Sequence, residues 1–247
     1  MEKIIIISDI HLSEDEPENT AYTLVKKIAK KEKFDCVINL GDMIDFEYLS
    51  SFVEGMPGIT EGSRLATDMK TLDTELAFWR KNTKESIFLQ GNHCFRLDRF
   101  LEKNPLLKGA LTTVKEICDK NDTQYIPLTS QPYEYIEGLY ISHGVQLSKY
   151  CFAQNAERAG KSIITGHSHR GGSYFYRYPD GRVINGTSLG TLGPLDPAYI
   201  KTPTRIAGWI QSFGVLYIEG DDWQLDHIVI KDGKSCILNG KKYSLEI

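Results

Sequence analysis

Five of the six histidines in this 247-residue chain fall one to four positions beyond the end of a short apolar run. His11 follows the run 3–8, His93 follows 86–90, His143 follows Leu139–Ser142, and His167 and His169 follow 161–165. Unbroken runs of aliphatic and β-branched residues read as strands covered on both faces. A further such run occupies 36–40. The segments between them carry helical spacing. Ala21, Leu24, Val25, Ile28 and Ala29 lie within a helix expected over 18–32, and Leu65, Met69, Leu72, Leu76 and Trp79 step by four, three, four and three. Strands crossed over by helices build a layered α/β fold whose strand ends converge on one rim. Histidines far apart in sequence are thereby expected to meet in space.

Helices are also expected over about 95–103 and 106–120, broken at Asn104-Pro105, and a turn-rich aromatic segment over 46–63. Tyr133–Ile136 and Leu139–Ser142 read as a hairpin, and from Ser173 onward hairpins pair 174–178 with 182–185 and 213–218 with 224–230. No repeat, low-complexity tract or linker divides the chain. The reading is one domain over 1–247, a four-layer α-β-β-α sandwich of two packed mixed sheets flanked by helices.

The strand ends carry metal-binding chemistry. Asp9 and His11 flank Ile10, so extended backbone would aim both at one ion while Ile10 enters the core. Asp42 follows Gly41 with two oxygens able to bridge two ions, the glycine allowing close backbone approach. Asn92 and His93 follow Gly91, His143 precedes Gly144, and His167 and His169 flank Ser168. Asp9, His11, Asp42, Asn92, His143, His167 and His169, with Asp42 counted twice, make two four-ligand shells. Imidazole and oxygen donors suit manganese, iron or zinc and argue against calcium or a thiolate zinc site.

Lysine plus arginine number 29 against 33 acidic residues, a formal charge of -4 that disfavours non-specific binding to polyanions while leaving room for a local basic patch. Arg96, Arg99 and Arg170 follow motif residues and offer phosphate contacts. Phe46, Tyr48, Phe52, Tyr174, Phe175 and Tyr176 offer base stacking, with packing as the cheaper account of most of them. The five cysteines form no CxxC pair, which fits a reducing, cytoplasmic setting, and the run 4–7 is too short for a leader or membrane anchor. Phosphate-loop and dinucleotide glycine motifs are absent. His227, with no motif around it, reads as structural.

The ordered set DxH, GD, GNH, an isolated His-Gly and GHxH, spanning about residues 4–190, resembles the calcineurin-like metallophosphoesterase superfamily. The resemblance implies a β-sandwich flanked by helices and hydrolysis of phosphate esters with two divalent metal ions, manganese foremost, with iron, zinc and nickel as alternatives. Asp9, His11 and His169 would hold the first ion, Asn92, His143 and His167 the second, and Asp42 would bridge them. His93 and Asp42 are the implied catalytic residues, His93 protonating the leaving group, and Asn92, His93, Arg96 and Arg170 the substrate contacts. A phosphodiesterase is the favoured reading. A phosphomonoesterase of nucleotides or small metabolites, or an inactive metal-binding scaffold, are the alternatives. The expected partner is a phosphate ester, a nucleic acid or nucleotide among the options, and no membrane.

Two departures from the family pattern matter. Cys94 stands where an acidic residue usually follows GNH, so either support for His93 comes from elsewhere, with Asp9 and Asp45 as candidates, or activity is reduced. Gly41-Asp42 continues as Met43-Ile44-Asp45-Phe46-Glu47 without the phosphate-pairing arginine of the Ser/Thr protein phosphatases. Segments 45–50 and 209–215 instead resemble phage and bacterial members of a DNA-repair-exonuclease-like branch.

Overall fold

Four consecutive isoleucines, Ile4 to Ile7, close β1 (Glu2–Ile7) with no solvent exposure at any of them. The computed structural model, which describes residues 1–13, 19–53, 55–56, 65–197 and 206–245, shows what covers them on each side. Strands β2 (Cys36–Asn39), β3 (Glu85–Leu89) and β4 (Gln124–Ile126) follow β1 in one sheet in parallel. The antiparallel hairpin of β10 (Ser212–Glu219) and β11 (Asp222–Val229) completes it in the order β11-β10-β1-β2-β3-β4. The second sheet runs β5-β6-β7-β9-β8, with β5 (Tyr133–Ile136), β6 (Leu139–Ser142), β7 (Ser162–Thr165), β8 (Gly172–Arg177) and β9 (Val183–Ser188).

Side chains alternate across each strand, so one strand serves two cores. Ile5, Ile7, Val37 and Phe88 meet the helices α1 (Thr20–Glu32), α2 (Leu65–Asn82), α3 (Asn92–Lys103) and α4 (Val114–Lys120). Ile4, Ile6, Ile38 and Leu89 face Leu139, Ile141 and Ile164 of the second sheet. That sheet's outer face packs Ile163 and Ile184 against Ala156 of α5 (Cys151–Ala159). The result is the α-β-β-α sandwich of two mixed sheets that the sequence predicts.

Boundaries differ where polar or glycine chemistry overrides periodicity. The segment expected as a helix over 106–120 is a 3-10 turn, Pro105–Leu107, followed by α4. Gly109 at φ +82° interrupts it, and a Thr113–Glu116 capping box restarts it. The helix expected from 95 begins at Asn92, capped by Gly91. The segment 46–63 holds 3-10 turns at Glu47–Leu49 and Ser51–Val53, and its residues 54 and 57–63 lie outside the described residues, as does position 18 of the first expected helix. The short strand β4 and the ladder of β12 (Ser235–Leu238) with β13 (Lys241–Ser244) were not legible in the pattern. No helix among the described residues is long and apolar enough to cross a membrane.

Candidate metal centre

The strand registers bring the motif residues level. Ile7 pairs with Asn39 and Asn39 with Phe88, so β1, β2 and β3 end together, while Ser142 pairs with Thr165 and Thr165 with Ser188 in the other sheet. Just beyond these ends the chain turns sharply: Asp9, His11, Asp42, His167 and His169 have φ of 52°, 53°, 52°, 69° and 56°. The left-handed region is sparsely populated by such residues and costs on the order of 1–3 kcal/mol each. This corrects the extended reading of Asp9-Ile10-His11. The two side chains converge through two left-handed residues, although Ile10 is buried as expected. Backbone bonds fix the turn: Asp9 N–H donates to Gly41 O at 3.1 Å, and the amides of Ile10 and His11 both donate to Asp42 O at 3.0 Å. A Cβ on Gly91 would overlap the Asp42 carboxylate, so the glycine is what lets β2 and β3 bring their loops together.

Among the described residues three groups of donors result, two of them trios of expected ligands and the third joining His11 to Asp45 and His93. The ligand atoms of Asp9, His11 and His169 lie within 4.8 Å of one another, as do those of Asp42, His143 and His167. In the first, Asp9 Oδ2 accepts from Ser8 Oγ–H and, at 2.8 Å, from His167 N–H. Its Oδ1 is buried without a hydrogen-bond partner and stands 3.4 Å from His169 Nε2 and 3.8 Å from His11 Nε2, themselves 3.0 Å apart. In the second, Asp42 Oδ1 accepts the His93 amide at the N-terminus of α3 at 2.9 Å. His143 Nδ1 donates to Leu40 O at 2.9 Å, which leaves Nε2 unprotonated in the neutral tautomer. That Nε2 faces Asn92 Oδ1 at 2.8 Å and Asp42 Oδ2 at 3.2 Å, three lone pairs on one point. The His143 and His167 rings are 4.9 Å apart.

Buried acceptors aimed at one another need a positive charge between them. Burial opposes charging the imidazoles, yet Asp45 and Asp9 hold His11 up to about 10, and Asp42 holds His143 up to about 9. Burial and neighbouring imidazoles push His167 down to about 4, and burial lowers His169 as well. Burial alone would raise Asp9 and Asp42, but the surrounding histidines keep both well below the carboxylate range. Each trio thus holds one imidazole that retains a proton and one that rejects it. Carboxylates, imidazole nitrogens and an amide oxygen converging in this way are the donor set of a divalent transition metal, and Asp9 Oδ1, buried without a hydrogen-bond partner, fits one.

His93 stands beside the second trio, its Nε2 3.9 Å from Asp42 Oδ2. Its Nδ1 donates to Asp45, 2.6 Å from Oδ1 and 2.9 Å from the carbonyl oxygen, so of the two acids open as its support the structure selects Asp45. Burial would raise the Asp45 carboxyl, but His11 and His93 hold it well below the usual range. Arg96 Nη1 also reaches Asp45 O at 3.0 Å, and its Nη2 donates to His93 Nε2 at 3.1 Å. Cys94 is fully buried in the helix-side core with its thiol pushed up by burial, which makes it packing and not a nucleophile or ligand.

Arg170 donates from its guanidinium to Ala207 O, in the turn that brings the Trp209 ring 4.2 Å from His169. Trp209 was read in the sequence only within a segment resemblance, and no spacing signals its contact with a candidate ligand. Of the candidate stacking aromatics, Phe46 is fully buried and unavailable, and the Phe52 side chain lies outside the described residues. Tyr174 and Tyr176 stack on each other at 6.1 Å on the edge strand β8, where Phe175 is also exposed. His227 accepts or donates at Ser212 Oγ, 2.8 Å away, a structural bond within the β10–β11 hairpin.

Two cavities, each about 510 Å³, share Asn92 in their linings. One runs along α3 and includes Tyr48, Arg96 and Arg99. The other includes His143, His167, Val145, Arg158 and Ile163.

The calcineurin-like phosphoesterase family matches residues 2–185. No curated protein matches the sequence. Among solved structures, Vps29 of Chaetomium thermophilum has a similar fold, covering 99% of this chain and 99% of its own at a TM-score of 0.51 and 13% identity. Vacuolar Protein Sorting 29 of Cryptosporidium parvum aligns over 99% and 98% with a TM-score of 0.48 and 16% identity. A dimetal phosphatase of Danio rerio aligns over 92% and 95% with a TM-score of 0.44 and 13% identity.

Proposed function

Because the chain belongs to the calcineurin-like phosphoesterase family, we propose that it is a metal-dependent phosphodiesterase. The observation that carries the diester reading is the pair of cavities meeting at Asn92. A monoester needs room on one side of its phosphorus, whereas a diester carries a substituent on two ester oxygens and needs both. In this reading Asp9, His11 and His169 hold one divalent cation, Asn92, His143 and His167 hold a second, and Asp42 lies between, with Mn²⁺ as the favoured metal. When bound, such a pair polarises the phosphoryl oxygens and lowers the pKa of water towards about 7.

The chain's own groups supply the rest. Asp45, fixed on His93 Nδ1, orients the imidazole so that Nε2 faces the site. Arg96 occupies that Nε2 through Nη2, so the acid role of His93 requires Arg96 to turn to the substrate's phosphoryl oxygens, which frees Nε2 to carry a proton. His93 then gives that proton to the departing alkoxide, a contribution usually worth about 100-fold to 10,000-fold. Two buried trios and a complete His93–Asp45 pair favour turnover over a scaffold that has lost it. The unpaired, buried cysteines support a reducing, cytoplasmic setting for this chemistry.

The test is hydrolysis of bis-p-nitrophenyl phosphate and p-nitrophenyl phosphate by chelator-stripped protein before and after Mn²⁺ is restored. Metal-dependent turnover favouring the diester is expected. A clear preference for the monoester would replace this reading with the phosphomonoesterase one.

A further inference from the structure

The α3 cavity extends well past the residues that hydrolysis needs. Asn92, Phe95, Arg96, Arg99, Phe100 and Lys103 step by three, one, three, one and three, so they share one face of α3, and all six line that cavity. The face begins at the candidate metal centre and runs outward. Arg99 and Lys103 are exposed and form no ion pair among the described residues, and Phe95 and Phe100, half-buried, line the same cavity. Asp98 is turned to another side of the helix, where it accepts from Gln90 Nε2 at 2.5 Å. The helix thus segregates its cations onto the cavity.

At a rise of 1.5 Å per residue, Arg96 to Lys103 covers roughly 10 Å, against roughly 3.4 Å of axis per phosphate along one strand. A row of three cations with two aromatic residues on the same face matches two or three successive phosphates and their bases. An isolated phosphate ester would leave Arg99 and Lys103 without a partner. We propose that α3 tracks the backbone of a single-stranded nucleic acid, so that the substrate of the site is an oligonucleotide. The inference rests on the phosphodiesterase reading and names the class of diester. It is compatible with a net charge of -4, because the positive groups are gathered on one helix face.

Binding of fluorescein-labelled dT12 to the full chain in EDTA, followed by anisotropy across 50–200 mM salt, tests the proposal without turnover. The double variant Arg99→Gln/Lys103→Gln is expected to bind about tenfold more weakly, with a log–log salt slope shallower by about 1.4, or 0.7 per lost phosphate contact. Lys31→Gln/Lys242→Gln, the same charge change on α1 and β13, is expected to bind as the parent does. Equal binding by the α3 variant, an equal loss in the control, or equal displacement of dT12 by polyglutamate would each overturn the proposal. Hydrolysis of bis-p-nitrophenyl phosphate without dT12 binding would overturn it and leave the phosphodiesterase reading standing. Binding of dT12 through Arg99 and Lys103, with the small diester untouched in Mn²⁺, would overturn the phosphodiesterase reading instead.

Discussion

Asp42 and His93 are bonded to each other yet carry separable loads. The Asp42 carboxylate takes the His93 amide on Oδ1 and faces His143 on Oδ2, so its removal strips charge from the trio itself. His93 hydrogen-bonds that carboxylate through its main-chain amide, while its ring, 3.9 Å from Asp42 Oδ2, hydrogen-bonds Asp45 and Arg96. Asp42→Ala is therefore expected to lose bound metal and turnover together. His93→Ala is expected to keep metal, measured by elemental analysis after dialysis, while turnover falls at least about 100-fold. Unchanged turnover in the second variant would remove His93 from the reaction. At this scale residue types were legible, because a carboxylate or imidazole directly after an apolar run has few structural reasons to be there. Backbone conformation was not: nothing in Asp9-Ile10-His11 announces two left-handed residues, which exist because the neighbouring loop's carbonyls capture their amides. Phe95, Phe100 and Lys103 belong to no motif, although their spacing from Asn92 places them on one helix face.

The elements that were easiest to read are those buried on both faces. The four isoleucines of β1 leave no alternative, whereas β4 has one buried residue of three and β12–β13 is a four-residue ladder, too short for alternation to register. The β10–β11 hairpin lies between these extremes, and its half-buried His227 gives it a measurable property. Burial lowers the His227 pKa to about 4 from the ordinary 6.5, with Ser212 Oγ as its hydrogen-bond partner. The folded hairpin therefore prefers the neutral ring, and protonation favours the unfolded chain. The associated stability is fully present above about pH 6.5 and is lost as pH falls through about 4, by up to about 3 kcal/mol. Urea unfolding in EDTA at a series of pH values is expected to show a flatter decline for His227→Gln than for the parent. His167 and His169 titrate in both proteins and cancel in the difference. Parallel declines would mean that the hairpin does not hold His227 in its neutral form.

The whole molecule joins its two sheets differently along their shared face and at their rim. Along the face the joint is apolar, with Ile4, Ile6 and Ile38 against Leu139, Ile141 and Ile164. At the rim it is polar, and each trio takes members from both sheets. Asp9 and His11 follow β1 and Asp42 follows β2, while His143 follows β6 and His167 and His169 follow β7. A cation in either trio is consequently a cross-link between sheets, and its binding free energy adds to the stability of the sandwich because the unfolded chain does not bring those ligands together. At a free metal concentration 100 times the dissociation constant, one site contributes about 2.7 kcal/mol. For a chain of this size that corresponds to a rise in Tm of roughly 5–10 °C. Thermal unfolding of chelator-stripped protein with and without Mn²⁺ is expected to show that rise, and Asp42→Ala, which weakens the trio between β2 and the second sheet, is expected to lose much of it. A shift of equal size in Asp42→Ala would place the stabilising ion elsewhere. No shift at millimolar Mn²⁺ would mean that the rim closes on protons alone, as the raised His11 and His143 allow. The same cross-link would offset the cost of the left-handed turns at Asp9, His11, Asp42, His167 and His169, which stand at this polar rim.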